Sequence, residues 1–355
     1  MSVFVSTLQR LQPGRAVAAF IALASLAATH AFFVEMGIFR KSLDVKGKHC
    51  YITGGSSGLG HALALELVKR GAHVTIIARG QARLDAVKAE LETHKGPSQI
   101  IQAISADLTS PTSSSDALEQ AVKAHGGKCP EHIYLCAGHS LPQFFIDASP
   151  EELKSGLDET YWVSAYTAHA ATKMMVSQRV HGKIVFVSSF VGYISFPGYS
   201  PYAPGKYALR ALADTLRTEL VPHNISVHIF MPASIRSEGW ENEELRKPRI
   251  TKQIEEGDEV LPAGDVAESL IIGIEKGYYQ ITNVLVTDLM RVLSKGNAPY
   301  NNIFMDMIYL IIALVGVPIW SKYVDYLVKK DAPEVRKELK ERGFYADPAA
   351  ASTPK

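Results

Sequence analysis

Cysteine is scarce: Cys50, Cys129 and Cys136 are the only three in 355 residues. Three thiols cannot build a disulfide scaffold, and so few suit a chain that works in a reducing compartment. A charge surplus is missing as well. Lys and Arg number 37 and Asp and Glu 36, a formal charge of +1. That balance argues against a generic nucleic-acid binder, whose footprint is a basic excess. No internal repeat is present, which excludes a solenoid or propeller. Apolar residues are plentiful at 47%, enough for a large core and too many for a disordered chain. The length alone suggests two domains, but an open α/β sheet can take up most of it as one.

Two apolar stretches flank the middle. Residues 16–34 (AVAAFIALASLAATHAFFV) contain no acid, Lys or Arg, and come close to the ~20 residues of a spanning helix. A cleaved signal peptide would have a shorter apolar core and a small-residue cleavage site. Ala-Thr-His-Ala at 28–31 is a poor one, so the reading is an uncleaved anchor. Arg10 and Arg15 precede it; Arg40, Lys41, Lys46 and Lys48 follow. The excess after the segment puts the bulk of the chain in the cytosol. The second stretch, Ile303 to Trp320, carries Asp306 and Pro318 and precedes Lys322, Lys329, Lys330, Arg336, Lys337 and Lys340. Full spanning would carry this basic tail across the membrane, so an in-plane or re-entrant segment fits better. A buried terminal helix or a dimer contact is the plainer alternative. The expected organisation is an anchor region over 1–45, a catalytic domain over 46–287, a membrane-associated segment over 288–344 and a disordered tail over 345–355.

Strand and helix alternate through the middle. Apolar runs at 49–53, 73–78, 100–106, 133–136, 183–188 and 226–231 predict strands. Periodic segments at 59–70, 82–92, 117–124 and 204–220 predict helices. Such alternation builds βαβ units, and strands that are apolar throughout are buried on both faces. The fold class is therefore α/β, a single doubly wound parallel sheet of the Rossmann type. Its ligands sit beyond the carboxyl ends of the strands.

The first strand ends in Thr53-Gly54-Gly55-Ser56-Ser57-Gly58-Leu59-Gly60 and leads into a helix. Glycines let the backbone approach a ligand, and a helix N-terminus offers free N–H groups to a pyrophosphate. An acid about 20 residues further on would hold an unmodified ribose. No acid stands there. Arg79 ends the second strand and Arg83 follows four residues later, a pair suited to the 2′-phosphate of NADP. Asp107, ending the third strand, either bounds the adenine pocket or caps the turn at Thr109. Ser188-Ser189 ends the fifth strand, and Tyr202 and Lys206 follow at a helical i, i+4 spacing. A tyrosine can serve as proton donor, an adjacent ammonium lowers its pKa, and a serine hydroxyl can hold a carbonyl oxygen.

TGGSSGLG, CAG at 136–138, IVFVSS at 184–189 and YAPGK at 202–206 together resemble the short-chain dehydrogenase/reductase family over about residues 48–287. The resemblance implies Tyr202 as proton donor, Lys206 as its tuner and nicotinamide-ribose ligand, and Ser189 as the group that positions a ketone. It also implies cofactor contacts from Gly54, Ser56, Ser57, Gly58, Gly60, Arg79, Arg83, Asp107 and Tyr202, along with Lys206. YAPGKYALRALADTLRTEL and the late apolar segment look like the members that reduce the ketone of a long-chain sphingoid base with NADPH at the endoplasmic reticulum. Those members imply a lipid substrate, a bilayer partner and no nucleic acid. Self-association is common among relatives. Neighbouring readings are a steroid or 3-ketoacyl-CoA reductase and a non-catalytic NADP-binding membrane protein. Two positions depart from the family. Cys136 stands where asparagine is usual, and Thr160 falls at the asparagine of the proton relay.

Cys129, His132, Cys136 and His139 have the spacing of a metal site. His132 to Cys136 reads as a strand, though, whose side chains alternate between faces rather than converge, so no metal is expected. Asn224-Ile225-Ser226 is a glycosylation sequon. The charged stretch 236–259 around Trp240 sits where the fold often carries a lid. Glu238 or Glu241 could meet a cationic amine there.

Overall fold

The computed structural model describes residues 42–345; the expected anchor and all but the first residue of the expected tail lie outside the described residues. Seven parallel strands form one sheet in the order β3-β2-β1-β4-β5-β6-β9. They are β1 (His49–Thr53), β2 (His73–Ala78), β3 (Ile101–Ser105), β4 (His132–Leu135), β5 (Gly182–Val187), β6 (Ile225–Phe230) and β9 (Gln280–Ile281). β7 (Ile235–Arg236) and β8 (Leu261–Pro262) make a separate short pair. All of β1 and β4 is buried, as the unbroken apolar runs predict.

Each sheet face has its own core. α1 (Gly58–Lys69), α2 (Gln81–His94) and α9 (Ala263–Glu275) cover one, with Leu63, Leu67, Leu84, Leu91 and Leu270 packed on Ile52, Ile76 and Val185. α3 (Pro111–Ala124), α5 (Val163–Ser177) and α6 (Ala203–Glu219) cover the other, with Leu118, Ala171, Met175 and Leu209 on Tyr51, Ile133 and Phe186. The chain order reverses direction between β1 and β4, and the crevice that opens there is where such sheets bind ligands.

The six strands expected from apolar runs are present, and the four expected helices with them, their ends shifted by a residue or two. α3 is the exception. It starts at Pro111 rather than Ala117, because the Ser110 side chain accepts from Ser113 N at 3.3 Å and proline fits the first turn. α4 (Pro150–Leu157) runs through a π turn at Asp158–Trp162 into α5.

The late apolar stretch opens α11 (Ile303–Glu341), 39 residues long and, among the described residues, the one helix long and apolar enough to cross a membrane. Its sheltered side chains (Asp306, Leu310, Ala313, Val317, Trp320, Val324, Leu327, Asp331) recur every three or four residues along one stripe. That stripe lies on the domain. Asp306 takes two hydrogen bonds from Arg291, at 2.6 and 3.0 Å, on α10 (Leu285–Leu293). Further along, Trp320 meets Phe196 edge-on, Asp331 pairs with Arg249, and Arg342 pairs with Asp147 at 2.8 Å. Ile308, Ile311, Ile312, Leu314, Val315 and Ile319 face outward, exposed.

Candidate active site

A cavity of about 1290 Å³ opens above the carboxyl ends of the strands. Its walls run from the glycine loop, past Arg79, Asp107, Ser189 and Tyr202, to Trp320 on α11. The loop's shape depends on glycine. Gly54 has φ +68°, and a Cβ there would come within 2.9 Å of the Ala137 backbone. A Cβ on Gly60 would lie 2.3 Å from the Gly54 carbonyl oxygen. The first turn of α1 thereby packs flush on the loop, and its free N–H groups line the cavity. Gly54, Ser56, Ser57, Gly58 and Gly60 all border it.

Arg79 and Arg83 stand at the same end, both largely exposed. Arg79 Nη1 reaches Glu159 Oε1 at 3.3 Å, and Arg83 Nη2 reaches Glu238 Oε1 at 2.6 Å. Exposed pairs of this kind are weak and exchange readily for a better anion. Asp107 caps the turn at Thr109. Its Oδ1 accepts from Thr109 N at 3.1 Å and from the Thr109 hydroxyl at 2.8 Å, and those two bonds hold its carboxyl below the usual range. It also borders the cavity.

Ser189, Tyr202 and Lys206 meet at the cavity floor. Ser189 follows β5, and its hydroxyl oxygen accepts from Val191 N at 3.4 Å. Tyr202 is the N-cap of α6, and Pro204 falls in the first turn, where its ring and missing N–H do no harm. Lys206 N reaches back to the Tyr202 carbonyl at 3.3 Å, which puts the two side chains on one face. The Ser188 hydroxyl donates to the Lys206 carbonyl at 2.9 Å and ties the strand end to the helix. Gly205 lets α6 approach the π turn, since a Cβ would lie 1.7 Å from Thr160 Oγ1.

The electrostatics differ from the expectation in one respect. Burial holds the Tyr202 phenol well above its usual range, Glu243 adds to this, and a hydrogen bond with the Ser189 hydroxyl opposes it. The Lys206 ammonium sits 5.5 Å from the Tyr202 ring centroid and donates to the Val187 carbonyl at 3.1 Å. Burial pushes Lys206 down to about 8, opposed by Cys136, so it stays a cation at neutral pH. The phenol is thus neutral and ready to give a proton. Cys136 is also neutral, its thiol pushed up to about 12 by burial, with Lys206 opposing. Thr160 spends its hydroxyl proton on the Gly156 carbonyl at 2.6 Å. Beside it, the Glu159 carbonyl and Lys206 Nζ both border the space at Gly138, 3.6 and 3.3 Å from where a Cβ would be.

The side chains of the metal-like spacing do not converge. The Tyr134 hydroxyl contacts His132 Nδ1 at 3.4 Å, the Cys129 thiol points to the Pro130 carbonyl at 3.6 Å, and Cys136 faces Lys206. Among the described residues no group of three or more His, Cys, Asp or Glu is placed to hold a metal ion.

Residues 48–247 match the family model described as short chain dehydrogenase. This chain belongs to the short-chain dehydrogenase family. It is 52% identical over 308 residues to a 3-ketodihydrosphingosine reductase of Cryptococcus neoformans, an alignment covering 86% of this chain and 92% of that one. It is 31% identical over 273 residues to a 3-dehydrosphinganine reductase of Danio rerio, covering 77% of this chain and 82% of that one. Among solved family structures, a Sphingobium yanoikuyae short-chain dehydrogenase in complex with NADPH superposes with a TM-score of 0.58 at 25% identity, covering 66% of this chain and 87% of that one. A Mycobacterium marinum member does so with a TM-score of 0.61 at 26% identity, covering 67% and 94%.

Periodicity and spacing do not locate two features around this cavity. The π turn carrying Glu159 and Thr160 interrupts helical periodicity, so α4 and α5 have no clean signature. Glu243 and Glu255, both in the cavity wall, come from a stretch where charges alternate too densely for any one to stand out.

Proposed function

We propose that this oxidoreductase uses NADPH to reduce the 3-ketone of 3-ketodihydrosphingosine to dihydrosphingosine, in sphingolipid synthesis. The observation that carries it is one continuous cavity joining a dinucleotide cradle, a Ser189–Tyr202 hydroxyl pair and the wall of an apolar helix. The names of the relatives supply the substrate. Gly54 and Gly60 let the loop close on backbone that a Cβ would strike, and the helix N-terminus behind that loop suits a dinucleotide phosphate. Arg79 and Arg83, with no acid at the end of β2, favour a 2′-phosphate and hence NADPH.

The nicotinamide cofactor, when bound, supplies the hydride. Ser189 donates a hydrogen bond to the ketone oxygen and holds it beside Tyr202. Tyr202 gives its proton to that oxygen as negative charge develops there. Lys206, protonated below about 8, stabilises the phenolate left behind and is placed to hold the ribose. Water entering beside Gly138, between Lys206 Nζ and the Glu159 carbonyl, can return the proton without help from the Thr160 hydroxyl.

For membrane association, α11 supports an in-plane arrangement. The helix is 39 residues long, roughly 58 Å at 1.5 Å per residue, about twice the hydrocarbon core. Its inner stripe lies on the domain from Asp306 to Asp331, so crossing a bilayer would drag the ion pairs of Arg291 and Arg249 into lipid. Lying flat, it buries Ile308, Ile311 and Val315 in one leaflet, with Tyr323 and Tyr326 at the headgroups. We read the enzyme as held at the endoplasmic reticulum membrane with its catalytic domain in the cytosol. The test is substrate competition. Full-length protein in detergent should oxidise NADPH with 3-ketodihydrosphingosine, and steroid or 3-ketoacyl-CoA ketones should compete poorly. A preference for either of those would overturn the substrate.

A further inference from the structure

The ketone proposed above carries an ammonium on the carbon next to its carbonyl. A group that recognises this cation must lie beside the hydroxyls of Tyr202 and Ser189. The wall of the cavity is acidic there. Glu243 belongs to α7 (Glu238–Arg246), and Glu255 follows α8 (Arg249–Ile254); both border the cavity. Tyr199 links them to the reacting end. Its hydroxyl lies 2.7 Å from Glu243 Oε1 and 2.6 Å from Glu255 Oε1, and its ring centroid is 5.8 Å from that of Tyr202.

These carboxylates are undercompensated. The Lys247 ammonium, whose side chain is 2% exposed, meets Glu243 at 3.4 Å, Glu244 at 2.5 Å and Glu255 at 2.5 Å. One cation faces three carboxylates. The Tyr199 hydroxyl has one proton, so it can donate to only one of its two carboxylate neighbours. A further cation arriving from the cavity side would be welcome, and an uncharged substrate would leave the carboxylates desolvated with nothing gained. Of the two acids expected from the sequence, only Glu238 borders the cavity. Glu238 pairs with Arg83 at the coenzyme end, and Glu241 is not part of the cavity wall.

We infer that Glu243, backed by Glu255, is the specificity-determining carboxylate that takes the substrate's ammonium and thereby selects α-amino ketones over plain long-chain ketones. This rests on the substrate reading above. Glu243 also fixes the orientation of the substrate, since an amine held at α7 and a carbonyl held at Ser189 define which face the coenzyme meets.

The experiment compares kcat/KM for 3-ketodihydrosphingosine with that for the analogue in which hydrogen replaces the amine, using full-length protein and NADPH. Wild type should favour the amine, and Glu243→Gln should cut that preference about 10- to 100-fold, the usual value of a hydrogen bond to a charged group. Glu244→Gln removes a carboxylate from the same Lys247 cluster, but Glu244 does not border the cavity; the preference should survive it. NADPH binding, followed by fluorescence, shows that each variant is folded. Equal losses on both substrates in Glu243→Gln, or the same collapse in Glu244→Gln, would mean that the cluster merely braces α7 and α8, and would overturn the proposal. A wild type indifferent to the amine would overturn it too. A wild type that binds NADPH and reduces neither ketone would instead remove the substrate reading itself.

Discussion

Tyr202 and Lys206 divide two protonation tasks by environment. The phenol is kept neutral by burial, and the ammonium, pushed down to about 8, is poised just above neutrality. Because the folded Lys206 pKa is lowered, its charge is present below about 8 and is lost as pH rises through it. We predict that kcat/KM for the ketone falls on the alkaline side with an apparent pKa near that value. A profile that stays flat up to the ordinary lysine range of about 10.4 would show that Lys206 is not the group controlling turnover. At the other end of the cavity, replacing Arg79 and Arg83 together by alanine should reduce the preference for NADPH over NADH by about 10- to 100-fold, read from the two KM values. Most of these residues are legible in the sequence, because their spacing follows strand ends and a helical turn. Glu243 is not legible. Its importance comes from Lys247, Tyr199 and Glu255 meeting in three dimensions, and nothing local separates it from Glu238 or Glu241.

At the scale of elements, the six long strands are legible as apolar runs, fully buried in β1 and β4, whereas β3 at the sheet edge buries only Ile101 and Ile104. β9 is not legible, since two paired residues carry no pattern. α11 is the instructive case. Read as sequence, Asp306 only weakens an apolar stretch; in the fold it is the anchor of that helix. Asp306 and the Arg291 side chain are 1% and 2% exposed. Replacing Asp306 by alanine should cost about 3 kcal/mol, the low end for stripping a partner from a buried charge, because Asp288 still reaches Arg291 at 2.8 Å. Chemical denaturation in detergent measures this. A loss under about 1 kcal/mol, the range of surface pairs, would mean that α11 is not held through this contact.

For the whole molecule, the domain, the segment 236–259 and α11 line one cavity between them, with the apolar outer face of α11 beside it. Ile311→Asp with Val315→Asp should release the protein from phospholipid vesicles in a flotation assay while leaving NADPH binding intact, when the region before residue 42 is removed. Retention on vesicles would contradict the in-plane reading. The sequon gives an independent check on orientation, since Asn224 is exposed in a turn. It should carry no glycan when the protein is made in eukaryotic cells, and an endoglycosidase-sensitive mass shift would place the domain on the wrong side of the membrane. The central claim is tested most directly by following NADPH absorbance with 3-ketodihydrosphingosine in wild type and Tyr202→Phe. We predict turnover in wild type, a loss of about 10²- to 10⁴-fold in the variant, and unchanged NADPH binding. Equal turnover in both, or none in a wild type that binds NADPH, would contradict the account.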